Sequence, residues 1–363
     1  MAEAQPKYLY VADTLRREIA EGVFRDGQTL MTEEELRVRF QVSRQTVRQA
    51  IALLEDDGLV DRRRGSGTYV RHGPRKRQGT IHVGVITTYI TDYIFPSIVS
   101  GMETVLSSHG AVMSLSATYN SPTAERKVLE RMLDGQVDGL IVEGVRTASE
   151  MTNEDCYLRL MERNIPVIFI NGYYRKLRNI PHVVMDDYGG GCQAAREILR
   201  RGYVRPAGMF KTDDLQGQER EAGLTDELRS RGISIPEECM LRFGTEHRMD
   251  LFETREGMDF VDTLASGKAD CVVCYNDVFA SNLMERLRQK GVKLPEDLGI
   301  IGFDNSVHAA MNRPALTTLG HPMETFGELT ALKILNMIDG EKEKSVRMPW
   351  TLIERDSLPD RNR

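Results

Sequence analysis

No apolar run in the sequence approaches the roughly 18 consecutive residues that a membrane span needs, so no spanning helix is expected. The first ten residues are polar and lack the apolar stretch and small-residue cleavage site of a secretory signal, which makes a cytoplasmic location the expectation. Cysteine is sparse, with five scattered through 363 residues. An odd, dispersed set suits reduced thiols rather than a disulfide framework. Cys271 and Cys274 are spaced C-x-x-C, but Cys271-Val272-Val273-Cys274 reads as a buried strand. Positions three apart on a strand point to opposite faces, and no second Cys or His pair stands nearby, so no metal site is expected. Neither the phosphate-loop pattern G-x-x-x-x-G-K-[ST] nor the nucleophile elbow G-x-S-x-G occurs, which removes the commonest signatures of phosphoryl and acyl transfer. No cofactor is expected.

The chain carries a net charge of −6, which taken whole argues against nucleic-acid binding. The charge is uneven, however. Residues 1–78 hold 15 Lys/Arg against 12 Asp/Glu, a balance of +3, and the remainder carries −9. A mildly basic head on an acidic body is expected where only the head meets phosphates. The length itself is too great for one core and predicts two or three domains.

Within the head, Val11–Gly22 reads as a helix with Leu15 and Ile19 on one face. A second helix opens at Thr32, with Glu35 completing a capping box and Leu36 and Phe40 as its apolar positions. Ser43 caps a third helix running to about Asp56, whose buried stripe is Val47, Ala50, Ile51 and Leu54. Its first turn and opposite face show Arg44, Gln45, Arg48 and Gln49. Arg can bridge guanine O6 and N7, Gln can bridge adenine N6 and N7, and Ser and Thr can hold phosphates. Two short strands, Leu59–Asp61 and Thr68–Val70, flank a basic tip and read as a hairpin wing. This order predicts a winged helix-turn-helix that binds DNA.

The runs Leu30–Leu36, Val42–Ala50 and Gly65–Val70 resemble the GntR family of winged regulators. The resemblance implies DNA contacts from Lys7, Glu34, Ser43, Arg44, Gln45, Thr46, Arg48 and Arg64, with Gly65 and Gly67 entering the minor groove. The family often has Pro where Met31 stands, but Thr32 still supplies the cap. Next comes R-H-G-P-R-K-R-Q-G, residues 71–79, a basic flexible connector. It is either a phosphate contact or a solvated tether.

From Ile81 onward short apolar runs alternate with helical patterns over some nine units, which predicts parallel α/β structure. The helices are expected at Phe95–His109, Tyr157–Arg163, Gly189–Arg200, Gln218–Arg231 and Val278–Lys290. Polar residues follow the strands repeatedly: Thr87 to Asp92, Glu143, Asn171, Asp186 and Asp187, Lys211 to Asp214, Asn276 and Asp277, and Asp304 and Asn305. Ligands bind at the carboxyl ends of such strands, and this ring suits a polyhydroxylated ligand.

Val137–Ile141, Ala269–Asp277, Leu294–Asp304 and Pro314–Leu319 resemble the effector-binding domain of the LacI/GalR family, itself related to periplasmic sugar-binding proteins. The resemblance implies two doubly wound subdomains hinged around a cleft, and homodimerisation through the body. It implies effector contacts from Asn171, Arg220, Asn276, Asp304 and His321. Tyr89, Asp92, Tyr93 and Phe95 would form an aromatic-rich wall, with Glu143, Lys211, Asp213 and Gln216 beside them. The GntR head on this body resembles regulators of arabinose use, which implies a dimer that represses at operator DNA and is released by L-arabinose.

The expected boundaries are 1–71 for the head, 72–79 for the linker and 80–363 for the body. Within the body, 80–180 with 322–342 would form one subdomain and 181–320 with 346–358 the other. Two alternatives stand beside this reading. One is a sugar-acting enzyme fused to a DNA-binding head, for which Glu143, Asp186 and Asp304 offer the paired carboxylates that glycoside hydrolysis needs. The other is the same regulator with xylose, galactose or a phosphosugar as effector.

Overall fold

The computed structural model describes residues 6–20, 22–25, 27–56, 58–63, 66–70, 80–91, 94–135 and 137–362. Arg64 and Gly65 of the wing, the 72–79 linker, and Asp92 and Tyr93 of the first loop lie outside the described residues. The chain divides into two units, Met1–Thr80 with Asn336–Lys342, and Ile81–Leu335 with Glu343–Arg363. The short segment Asn336–Lys342 thus groups with the first unit rather than with the body expected from sequence.

In the first unit, α1 (Lys7–Ala20), α2 (Glu33–Phe40) and α3 (Arg44–Asp56) precede a hairpin of β1 (Val60–Arg63) and β2 (Gly67–Val70). Thr32 caps α2 with its side chain while Glu35 reaches back to the Thr32 amide, so the helix starts without the family's proline. Gln41 ends α2 in the left-handed conformation, and Ser43 Oγ accepts the Thr46 amide at 3.1 Å to start α3. Val11, Leu15, Ile19, Leu36, Val47, Ile51 and Leu54 meet in one core that Val60 and Val70 of the hairpin close. Leu30 and Val70 exchange backbone bonds with Thr68 and Gln28, which adds residues 28–30 along the wing.

The body begins with β3 (His82–Thr87), α4 (Phe95–Ser108), β4 (Val112–Ala117), α5 (Pro122–Asp134), β5 (Gly139–Val142), α6 (Glu154–Glu162), β6 (Val167–Ile170) and β7 (His182–Met185). After α7 (Asp187–Arg200) come β8 (Pro206–Lys211), α8 (Leu215–Ser230), β9 (Met240–Phe243), α9 (Arg255–Ala265), β10 (Cys271–Cys274), α10 (Asp277–Gln289), β11 (Gly299–Asp304), α11 (Val307–Met311) and β12 (Thr317–Gly320). The chain finishes with α12 (Met323–Ile338), β13 (Val346–Met348) and β14 (Thr351–Ile353). Strands such as Val167–Ile170 and Cys271–Cys274 are apolar and buried throughout, as parallel strands covered on both faces must be.

Two six-stranded sheets result, ordered β13-β7-β6-β5-β3-β4 and β14-β12-β11-β10-β8-β9. Every pairing is parallel except β12 with β14. The expected subdomain boundaries need correction. β7 pairs with β6 and β13 with β7, so residues 182–185 and 346–348 belong to the first lobe rather than the second. The chain therefore crosses between lobes at Asp186–Asp187, at His321–Pro322 and at Pro349–Trp350. The third crossing follows from a three-residue strand too short to show a pattern in sequence. All five cysteines are buried and free. Among the described residues, no helix is long and apolar enough to cross a membrane.

Candidate functional site

In the first unit, the face of α3 is organised by Glu33, at the start of α2. Its carboxylate accepts from Arg44 Nε at 2.9 Å and from Arg48 Nε at 3.1 Å, and Arg62 of the wing lies 3.8 Å away. Burial opposes ionisation, but the two arginines hold the Glu33 carboxyl below its ordinary value. Ser43, Arg44, Gln45 and Arg48 are exposed together, with Thr46 half-buried beside them. Lys7 is exposed at the start of α1, and Gly67 opens β2 with φ of +122°. Glu34 points elsewhere and pairs with Arg37 on its own helix. Sequence reasoning named Glu34 and passed over Glu33, because only the fold shows which of three consecutive acids faces α3.

In the body a cavity of about 380 Å³ opens between the lobes at the carboxyl ends of the strands. The first lobe supplies a compact acceptor. Glu143 Oε2 takes the Thr88 amide and hydroxyl, both at 2.6 Å, and Oε1 takes Asn171 Nδ2 at 2.9 Å. Burial pushes the Glu143 carboxyl above its usual range. Tyr89 and Phe95 form the apolar wall, with ring centres 6.1 Å apart.

The second lobe supplies two buried cations, each already paired. Arg220 donates to Asp187 at 2.7 Å and to the Tyr275 carbonyl at 2.6 Å, with Asp304 at 3.4 Å. Its flat guanidinium lies 4.4 Å from the Phe303 ring centre and 4.9 Å from that of Trp350. Burial raises the Asp187 pKa to about 7 despite the neighbouring arginine. Lys211 meets Asp213 at 2.9 Å and Asp214 at 3.0 Å, and Tyr275 Oη donates to the same Asp214 oxygen at 2.7 Å. These carboxylates keep Lys211 charged against the cost of burial.

Tyr89, Phe95, Glu143, Asn171, Lys211, Gln216, Arg220, Asn276, Asp304 and His321 all line the cavity. Asp213 does not, and that expectation is corrected. Its carboxylate turns toward the Thr245 amide at 3.0 Å and Arg146 at 3.7 Å. Its neighbour Asp214, which caps α8 through the Gly217 amide, faces inward instead. Similarly Asp186 caps α7 while Asp187 lines the cavity. The alternation of strand-end acids was visible in sequence, but the start of the following helix decides which of two neighbours turns inward. Trp350 was missed outright. It enters from the third crossing and packs edge-on against His321 and Phe303. Among the described residues, no cluster of His, Cys, Asp or Glu could hold a metal ion.

Residues 7–70 match the profile of bacterial regulatory proteins of the gntR family, and residues 195–358 match the periplasmic binding protein-like domain. The arabinose metabolism transcriptional repressor of Geobacillus stearothermophilus is 36% identical over 98% of this chain and 97% of its own length. The protein of that name from Halalkalibacterium halodurans is 33% identical over 93% and 91%. Among solved structures, transcription regulator CcpA of Lactococcus lactis aligns with a TM-score of 0.67 and 25% identity, covering 77% of this chain and 100% of that one. A CelR–cellobiose complex shares the fold, with a TM-score of 0.66 and 23% identity over 87% and 92% of the two chains. Near-complete coverage, together with matching head and body, means that the chain belongs to the transcriptional repressors that join a GntR-type head to a LacI-type body, and that it is a regulator rather than an enzyme.

Proposed function

We propose that the protein is a cytoplasmic, sugar-responsive repressor that binds operator DNA as a homodimer and is released by L-arabinose. The observation that carries the effector reading is the charge inventory of the cavity. Glu143, Asp187, Asp214 and Asp304 line it together with three cations: Arg220 and Lys211, buried and both engaged by carboxylates, and Arg248, whose guanidinium lies 4.2 Å from the Tyr89 ring centre. A phosphosugar would bring a dianion to a wall whose two buried cations are already paired, whereas a neutral sugar offers hydroxyls that donate to the carboxylates and accept from Asn171, Lys211 and Arg220. Tyr89 and Phe95 suit the C–H face of the ring. The names of the two relatives matched over most of their length favour arabinose among neutral sugars, and the L form follows the resemblance read from the sequence. Two heads carried by a dimer would meet two half-sites of a pseudo-palindromic operator.

Calorimetric titration with L-arabinose, D-xylose, D-galactose, D-ribose and arabinose 5-phosphate tests the effector. Saturable binding of L-arabinose with no binding of the phosphate is expected. Binding of another sugar would keep the regulator and change its inducer, and tight binding of the phosphate would overturn the electrostatic reading.

A further inference from the structure

On the side of the cleft away from the three crossings, four residues close a ring across the lobes. Asp213 and Thr245 follow β8 and β9 of the second lobe, while Asn120 and Arg146 follow β4 and β5 of the first. The Thr245 amide donates to Asp213 Oδ2 at 3.0 Å, and Thr245 Oγ1 accepts from Asn120 Nδ2 at 2.5 Å. Asn120 Oδ1 accepts the Arg146 amide at 2.9 Å, and Arg146 Nε returns to Asp213 Oδ2 as an ion pair at 3.7 Å. The adjoining backbone adds two bonds between the lobes. Ala148 N donates to the Asp213 carbonyl at 3.3 Å, and Leu215 N to Thr147 Oγ1 at 3.0 Å. Both first-lobe members have left-handed backbones, with φ of +55° at Asn120 and +44° at Arg146. That conformation is ordinary for Asn but costly for Arg, and it persists only where surrounding contacts enforce it.

Asp213 also touches Lys211, whose ammonium lines the cavity. One carboxylate therefore joins a cavity-lining cation to the opposite lobe without facing the cavity itself. We infer that the ring of Asn120, Arg146, Asp213 and Thr245 is a clasp that sets how long the cleft stays closed on its ligand, with Asp213 as the positioning residue that connects Lys211 to it. The inference rests on the sugar-effector reading above, and it assigns these four residues a part in effector retention and operator release; of the four, Asn120 also lines the cavity, so the variants are placed at Asp213 and Arg146, which do not.

The test uses the whole chain and its single tryptophan, Trp350, which stands at a crossing and lines the cavity, so that a change in its fluorescence on L-arabinose binding is the expected readout. In stopped-flow measurements, Asp213→Asn and Arg146→Ala each speed L-arabinose dissociation about five- to tenfold, with association within about twofold. The double variant matches the more severe single variant, as expected for members of one unit. The L-arabinose needed for half-release of operator rises in parallel, while operator affinity without sugar is unchanged. Arg146→Lys, which keeps the charge, stays close to wild type. Dissociation within twofold of wild type in both single variants, or additive effects in the double, overturns the clasp.

A second arm needs no ligand and no Asp213 variant. In sugar-free protein, Arg146→Ala accelerates hydrogen exchange at the Thr245 and Leu215 amides, neither of which Arg146 itself accepts. Unchanged protection at both amides overturns the clasp even if wild type fails to bind L-arabinose, an outcome that would separately overturn the effector reading.

Discussion

Arg220 donates its Nε hydrogen to Asp187 at 2.7 Å, and both side chains are buried where α8 meets the first crossing between the lobes. The pair places a fixed charge in the cavity wall while holding α7 and α8 in register.

Arg220→Ala leaves Asp187 and Asp304 buried without their shared cation. Breaking such a pair costs about 3–5 kcal/mol, because the remaining charge is uncompensated. Urea denaturation followed by circular dichroism should show a loss of that size in the body transition, and sugar binding should vanish in calorimetry. A loss under about 1 kcal/mol would mean that the pair is not the support described here.

Gly191 on α7 faces α8 so closely that an added Cβ would lie 2.2 Å from the Arg220 carbonyl oxygen and 2.8 Å from the Leu224 nitrogen. Backbone cannot give way as a flexible side chain can, so Gly191→Ala forces the helices apart at a cost of about 1–3 kcal/mol. Sugar affinity should fall with stability, since Arg220 moves with α8. Wild-type melting temperature and affinity in this variant would contradict the packing account.

Asp277 is fully buried at the start of α10, where it accepts from the Ser306 amide and the Thr318 hydroxyl, both at 2.7 Å. Burial chiefly, with the charge of Asp304 adding, pushes its pKa up to about 8. The folded chain therefore holds this proton more tightly than the unfolded chain, whose Asp titrates near about 3.9. The resulting stability is complete below about pH 4 and is lost as pH rises through about 8. Asp277→Asn removes that part of the slope, so denaturation midpoints should shift in favour of the variant between about pH 5 and pH 8. Parallel pH profiles would contradict the raised value.

Glu33 holds Arg44 and Arg48 across the face of α3. Glu33→Gln removes a negative charge from beside the exposed arginines of α3 and frees two long side chains. Binding to scrambled DNA should tighten and its salt dependence steepen. Preference for operator should fall by about 1–3 kcal/mol as the arginines lose their fixed aim. Anisotropy titrations on both duplexes at several salt concentrations measure the ratio, and an unchanged preference would show that Glu33 does not position the arginines.

The head was legible in sequence because its signals are local: the Thr32–Glu35 box, the Ser43 cap and the stripe Val47, Ala50, Ile51 and Leu54 each lie within one helix. α1 proved to start at Lys7, one turn before the expected Val11, because only its later turns show a clear apolar stripe. In the body, β3, β5, β6, β7, β8, β10 and β11 were legible as apolar runs, but β4, with its half-exposed Val112–Ala117 pattern, was not, and neither were β9, β12, β13 and β14. α5, α9, α11 and α12 also went unnoticed between clearer neighbours. The cavity was legible as a set of strand-end residues and illegible in its details. Asp213 and Asp214 are equivalent in sequence, and only the geometry of the α8 cap separates them. Trp350 carries no local signal at all, since its place in the wall depends on a lobe crossing rather than on a motif.

The central claim is that sugar in the body and operator on the head oppose one another, and linkage fixes the size of that opposition from both sides. The most direct measurement is fluorescence anisotropy of labelled operator at rising L-arabinose, paired with L-arabinose calorimetry with and without saturating operator. The account predicts saturable release, with the factor by which sugar weakens operator binding equal to the factor by which operator weakens sugar binding. Operator that stays bound at saturating L-arabinose, with sugar affinity indifferent to DNA, would contradict it.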